Sequence, residues 1–219
     1  MTPFGAGPLG YVAELEPSER IVLAQLAGDV AQMLQDQGGA GRGRDGGPVG
    51  DLDDADTAWV PPGWNGPAPD AATPAPRDPA VRRLLPDAST DAGVAAEFRR
   101  FTQAELADEK VGRLVLLAQM LVDGEPATAA PFVVARDVAQ RVAAALTDVR
   151  LVLAQRLELE TDEQVEDLYD ELAAQDVPDD DAGPRRFLVS VFLLTGLLQE
   201  SLVEEMLTDL RSGGVTPGE

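Results

Sequence analysis

Residues Ala130–Leu159 read APFVVARDVAQRVAAALTDVRLVLAQRLEL. Val134, Val138, Val142, Ala145, Leu146, Val149, Val152, Leu153 and Leu157 recur in it at steps of three and four. That spacing lays one apolar stripe along an α-helix. Pro131 suits a first helical turn, and no Gly or Pro follows it in the stretch. The spacing therefore predicts one long helix, Pro131–Leu159, with Arg136, Asp137, Gln140, Arg141, Thr147, Asp148 and Arg150 on its polar side.

The rest of the chain reads as shorter helices packed around it. Pro8–Leu15 is a short strand. Glu16–Gln37 is a helix with Pro17 in its first turn, a stripe of Ile21, Val22, Leu26, Val30, Met33 and Leu34, and an end at Gly38–Gly39. Asp78–Pro79 caps a short helix through Leu85, stopped by Pro86. Asp91–Phe101 is a further helix, and Thr102-Gln103-Ala104-Glu105 has the form of a capping box that opens another through Val122. A second box, Thr161-Asp162-Glu163-Gln164, starts a helix to about Gln175, with Val165, Leu168, Tyr169 and Leu172 inward. Pro184 begins the last helix, Arg185–Leu210, which is apolar nearly all round at first and is expected to be buried by neighbours on several sides. The fold class is thus mainly α: a single helical bundle of six or seven helices, with at most a short N-terminal strand. Residues 1–37 and 78–212 form that body.

Residues 38–77 hold nine Gly and seven Pro around the acidic run Asp51–Asp56, a composition that cannot pack a core and reads as a disordered linker. Residues 213–219 read as a disordered tail. The two tryptophans, Trp59 and Trp64, fall in the linker as TAWVPPGWNG. Either they fold back onto the body, or they are a partner-binding motif, since Trp is enriched at binding hot spots.

Composition removes whole classes of chemistry. There is no Cys, so disulfides, thiol nucleophiles and Cys-ligated metals are excluded. There is no His, which removes imidazole metal sites and the commonest general base. Seventeen basic against 39 acidic residues give a net charge of −22, which opposes direct nucleic-acid binding. No Walker loop or G-x-S-x-G occurs. No signal-peptide pattern opens the chain, and the apolar run Phe187–Leu198 is too short to span a bilayer, so no membrane partner and a cytoplasmic location are expected.

Two clusters carry what chemistry remains. Glu158–Asp181 contains twelve acidic residues and no basic one. Glu163, Glu166, Asp167, Asp170 and Glu171 share a helix at spacings that can hold Mg²⁺, as in a Mg-dependent hydrolase; Glu200 and Glu204 would have to supply the opposing carboxylates. A solvated helix face explains the same residues more simply. Arg150 and Arg156 lie in the apolar run LTDVRLVLAQRLEL and are expected to form structural ion pairs with carboxylates such as Asp148 and the acidic segment beyond Leu159. Arg150 in particular should meet a carboxylate from another helix.

The motifs EPSERIVLAQL (Glu16–Leu26), DPAVRRLLPDA (Asp78–Ala88), LTDVRLVLAQRLELETDE (Leu146–Glu163) and LLQESLVEEML (Leu197–Leu207), in this order, resemble the actinobacterial family of uncharacterised helical proteins that includes the oxidative-stress transcriptional regulator AosR. The resemblance implies a non-enzymatic regulator of transcription that acts through protein–protein contact, with a protein partner such as an alternative sigma factor, a homodimer as a further option, and no catalytic residue, cofactor or metal. Two departures limit it. Without cysteines, sensing by disulfide formation cannot be carried over, and Val142 stands where the family's pattern leads one to expect Trp.

Overall fold

The computed structural model describes residues 1–41, 74–123, 131–173 and 182–213. Six helices and three short strands make up these residues. The expected linker, apart from its first and last four residues, lies outside them, as do Trp59, Trp64, the acidic loop 176–181 and the tail beyond Gly213.

The N-terminal strand expected at Pro8–Leu15 is a hairpin instead. Strand β1 (Thr2–Gly7) pairs antiparallel with β2 (Gly10–Glu14), and Pro8–Leu9 form the turn. A third strand, β3 (Phe132–Val134), adds to the other edge of β2, with Tyr11 opposite Val134 and Ala13 opposite Phe132. Side chains alternate as a pleat requires: Phe132 and Val134 are buried, Val133 is exposed. On the inner side the Phe4 and Phe132 rings meet at 5.8 Å. Gly10 has φ +147°, and a Cβ there would run into the Val134 carbonyl oxygen, so only glycine fits the hairpin beneath β3.

Helix α1 (Pro17–Gly41) runs past the glycines expected to end it. It buries Leu23, Ala27, Val30 and Leu34, while Ile21 faces solvent. Helix α2 (Pro79–Leu84) starts as read: the Asp78 carboxylate accepts the Ala80 N–H at 2.8 Å. Helix α3 (Ala92–Val122) is continuous where two helices were expected. Its N-cap is Asp91, and the Thr102 hydroxyl donates back to the Phe98 carbonyl at 3.0 Å instead of capping a new helix.

The central helix is shorter than its stripe implied. Helix α4 covers Ala139–Arg156, because Phe132–Val134 are drawn into the sheet and residues 136–138 turn between the two. Its end is a left-handed cap: Glu158 has φ +57°, and the Leu159 N–H reaches back to the Ala154 carbonyl at 2.8 Å. Helix α5 (Asp162–Ala173) opens on the Thr161–Gln164 box, with the Gln164 N–H on Thr161 Oγ1 at 3.3 Å and the Thr161 N–H on Gln164 Oε1 at 3.0 Å. Of its expected inward residues Leu168 is buried and Val165 half-buried, but Tyr169 and Leu172 are exposed.

Helix α6 (Ala182–Gly213) lies across α4 and the β1–β2 hairpin. Val189, Val191, Phe192, Leu198 and Leu202 go into the core with Val142, Leu146, Val149 and Leu153 of α4. The expectation that neighbours would bury α6 on several sides holds for its contacts with α4, α5, β1 and β2, but not for its outer side. Its outer side leaves Leu197 47%, Val203 37%, Leu207 43% and Leu210 71% exposed. By length and apolar content α6 could also cross a membrane, yet one whole side of it is core.

Candidate binding cleft

A cleft with a cluster of polar side chains forms where three distant pieces of chain meet: β2, the start of α4 with the turn before it, and the last turns of α6. Tyr11, Arg136, Asp137, Gln140, Met206, Asp209 and Leu210 line a cleft of about 710 Å³ there. That is within the usual range for sites that take a small molecule or a partner's side chain.

Asp209 is its hub. Arg136 Nε donates to Asp209 Oδ2 at 2.7 Å, and the Tyr11 hydroxyl donates to the same oxygen at 2.9 Å. The Arg136 guanidinium also lies over the Tyr11 ring at 5.4 Å and reaches the Gly7 carbonyl at 3.4 Å. These bonds fix the ionisation of the group. Burial first, then the hydrogen bond to Asp209, push the Tyr11 phenol above its ordinary value. The hydrogen bonds from Arg136 and then Tyr11 hold the Asp209 carboxyl below the usual carboxylate value. Asp137 and Gln140 stand exposed in the lining, and Asp137 has no ion partner among the described residues. The arrangement can receive an apolar stem against Met206 and Leu210 and a polar or cationic head at Asp137. Nothing short-range in the sequence links residues 11, 136 and 209; the fold alone brings them together.

The sequence-predicted structural residues are placed as follows. Asp148 is 1% exposed and is held by Lys110 Nζ at 2.7 Å and by Arg113 at 2.6 Å, both from α3. Lys110, the only lysine in the chain, is itself buried. Arg156 pairs with Asp78 at 2.7 Å, tying α2 to the end of α4. Burial acts to raise the Asp78 carboxyl, but the hydrogen bonds from Arg156 and the Ala80 N–H outweigh it and leave the pKa lowered. Arg150 corrects the expectation of a carboxylate partner. Its Nη1 donates to the neutral Gln199 Oε1 on α6 at 2.9 Å, its guanidinium faces the Phe192 ring at 5.3 Å, and Gly196 lies beneath it. Gln199 in turn donates to Thr147 Oγ1 at 2.8 Å, completing a polar seam between α4 and α6.

The acidic face of α5 stays in solvent. Glu163, Glu166, Asp167 and Asp170 are exposed, and Glu171 is taken by Arg185 at 2.9 Å. That bridge fixes α5 against the start of α6. Glu200 lies 15 residues further along, roughly 22 Å away at helical rise. Among the described residues no group of three or more carboxylates is arranged to hold a metal ion. Arg82, Arg83 and Arg99 are likewise engaged, with the Pro76 carbonyl, the Leu159 carbonyl and Asp87 respectively. Sequence reasoning also missed Arg20, buried and donating to the Leu121 carbonyl at 3.0 Å, where it caps α3.

The family model described as "Domain of unknown function (DUF2017)" matches residues 1–206. The chain belongs to this family. No curated protein and no solved structure matches it.

Proposed function

We propose that this DUF2017 chain is a non-enzymatic regulatory protein that acts by contact with another protein, as a transcriptional regulator of the oxidative-stress type. The observation that supports it most is the outer side of α6, where four large apolar residues stay exposed on a helix otherwise built into the core. Exposed apolar side chains concentrated along one helix are characteristic of an interaction surface. The transcriptional part rests on the likeness of the four motifs, Glu16–Leu26, Asp78–Ala88, Leu146–Glu163 and Leu197–Leu207, to the family that includes AosR. With a net charge of −22, action through a protein such as an alternative sigma factor is favoured over direct contact with DNA.

The test is co-purification of the tagged full chain from its native host, followed by transcription in vitro with the captured component. A stoichiometric partner drawn from the transcription machinery, and a change in transcript yield on adding the protein, are expected. No partner, together with Mg²⁺-dependent hydrolysis lost in Glu166→Gln, would replace this reading with the hydrolase. Tight, salt-sensitive binding of a promoter fragment by the purified protein alone would replace it with direct DNA recognition.

A further inference from the structure

We propose that the outer side of α6 and the cleft at its C-terminal end form one docking groove, and that its occupant is a basic amphipathic helix of a partner protein. This rests on the protein-contact reading above and adds the place and the chemistry of the contact.

The apolar part comes from spacing. Val203, Leu207 and Leu210 follow at i, i+4 and i+7 along one side of the helix, with Leu197 about a third of a turn round from them, and the four span fourteen residues, about 20 Å. That is the footprint of roughly four turns of a second helix laid alongside, whose anchors would recur at the i, i+3, i+4 and i+7 positions. Leu210 belongs both to this stripe and to the wall of the cleft, so the two surfaces are continuous.

The sign of the occupant comes from the flanks. Glu200 and Glu204 are exposed on the same side of α6 and have no ion partner among the described residues. Asp137 is equally unpaired in the cleft, whereas Asp209 is satisfied by Arg136 and Tyr11. Between Arg185 and Arg186 at its start and Arg211 at its far end, α6 carries no cation. A second copy of the chain would bring the same carboxylates and a net charge of −22 against −22, which opposes a self-contact. A helix carrying Leu or Ile along one side and Arg or Lys on its margins meets the stripe and the acidic flanks together. One of its long basic side chains can lay its stem on Met206 and Leu210 and present its head to Asp137.

The probe is a fluorescein-labelled synthetic Leu/Arg peptide of amphipathic helical pattern, titrated with the full chain and followed by anisotropy. A scrambled peptide of the same composition and a Leu/Glu peptide of the same pattern serve as controls. Binding of the patterned basic peptide, at least about tenfold tighter than either control, is expected. Leu207→Asp should weaken it about tenfold or more, and the Glu200→Lys/Glu204→Lys double variant should weaken it and flatten its salt dependence. Circular dichroism checks that each variant is folded; Leu210→Ser, at the most exposed position, replaces any that is not. Equal binding of the scramble, or unchanged affinity in the folded Leu207→Asp variant, overturns the groove. A dimer in sedimentation that Leu207→Asp dissociates makes the occupant a second copy and also overturns it. So does association of the wild type with phospholipid vesicles that Leu207→Asp abolishes. If the partner captured from the host binds Leu207→Asp as well as wild type, the groove is wrong and protein contact stands. If no host partner is captured but the patterned peptide binds as described, the groove stands and the regulatory reading falls.

Discussion

Replacing Asp148 with Asn keeps the size and shape of the side chain and removes only its charge. In the wild type that charge is shared by Lys110 at 2.7 Å and Arg113 at 2.6 Å, with Asp148 1% and Lys110 8% exposed. The variant leaves a buried ammonium facing a neutral amide, with Arg113 able to fall back on Glu109 at 3.7 Å. Breaking a buried pair in this way costs about 3–5 kcal/mol. Against a total stability of about 5–15 kcal/mol that is a large fraction. For a chain of this size it lowers Tm by roughly 6–20 °C. Urea unfolding followed by far-UV circular dichroism reads the change as a lower midpoint at constant slope. The triple variant Lys110→Met/Arg113→Met/Asp148→Leu removes the charges together and should recover most of the loss, since apolar residues of similar volume replace a buried ion cluster at little cost. Salt should leave the wild-type midpoint largely unaffected through this cluster, because buried pairs are poorly screened. A loss below about 1 kcal/mol in Asp148→Asn, the range of a solvent-screened pair, would refute the reasoning. So would a triple variant as unstable as the single one.

Arg150→Ala should cost about 2 kcal/mol, from a charged hydrogen bond to Gln199 and a contact with the Phe192 ring, and Arg150→Met less because it keeps the stem; equal losses in urea unfolding would show that packing is not involved. Gly10→Ala should destabilise the fold by at least about 1–3 kcal/mol through backbone strain, with the collision at Val134 added, and thermal unfolding at wild-type Tm would contradict it. The Tyr11–Asp209–Arg136 group should give a two-sided pH profile. Asp209 titrates below its unfolded value of about 3.9, so its contribution is complete above that pH and disappears as pH falls through the folded value. Tyr11 titrates above its unfolded value of about 10, so its contribution is complete below that pH and is lost as pH rises through the folded value. The tyrosinate absorbance missing from Tyr11→Phe should therefore develop only above about pH 10 in the wild type, and its appearance below that would contradict the burial of the phenol.

Features that are local in the chain were legible in the sequence. The Asp78 cap and the Thr161–Gln164 box fold as their residue types require. Thr102–Glu105 has the same local form, yet it lies inside a helix already started at Asp91, so its hydroxyl finds the Phe98 carbonyl. Thr161 follows the left-handed break at Glu158 and is free to cap. Phe132-Val133-Val134 fits either period over three residues, and what decides for a strand is pairing with β2, more than a hundred residues earlier in the chain. Arg150 reaches another helix as expected, but its head donates to a neutral amide, and no pattern in the sequence distinguishes Gln199 from the carboxylates around it. The cleft was not legible at all, because its hub joins residues 198 and 73 positions apart.

Those separations bear on how the protein emerges during synthesis. The Phe4 N–H is held by the Ser201 hydroxyl at 3.1 Å, and Tyr11 by Asp209. The hairpin precedes every other described element in the chain, but its second edge partner is β3 and its cover is α6. A two-stranded hairpin is marginal in water by itself. During synthesis the hairpin must therefore wait, unshielded, until α6 has been made. Contacts of such long range also slow folding. Native structure at the hairpin should close late, only once α6 has emerged. A ribosome-stalled chain ending before α6 should remain sensitive to protease at β1 and β2 while α1 is already protected.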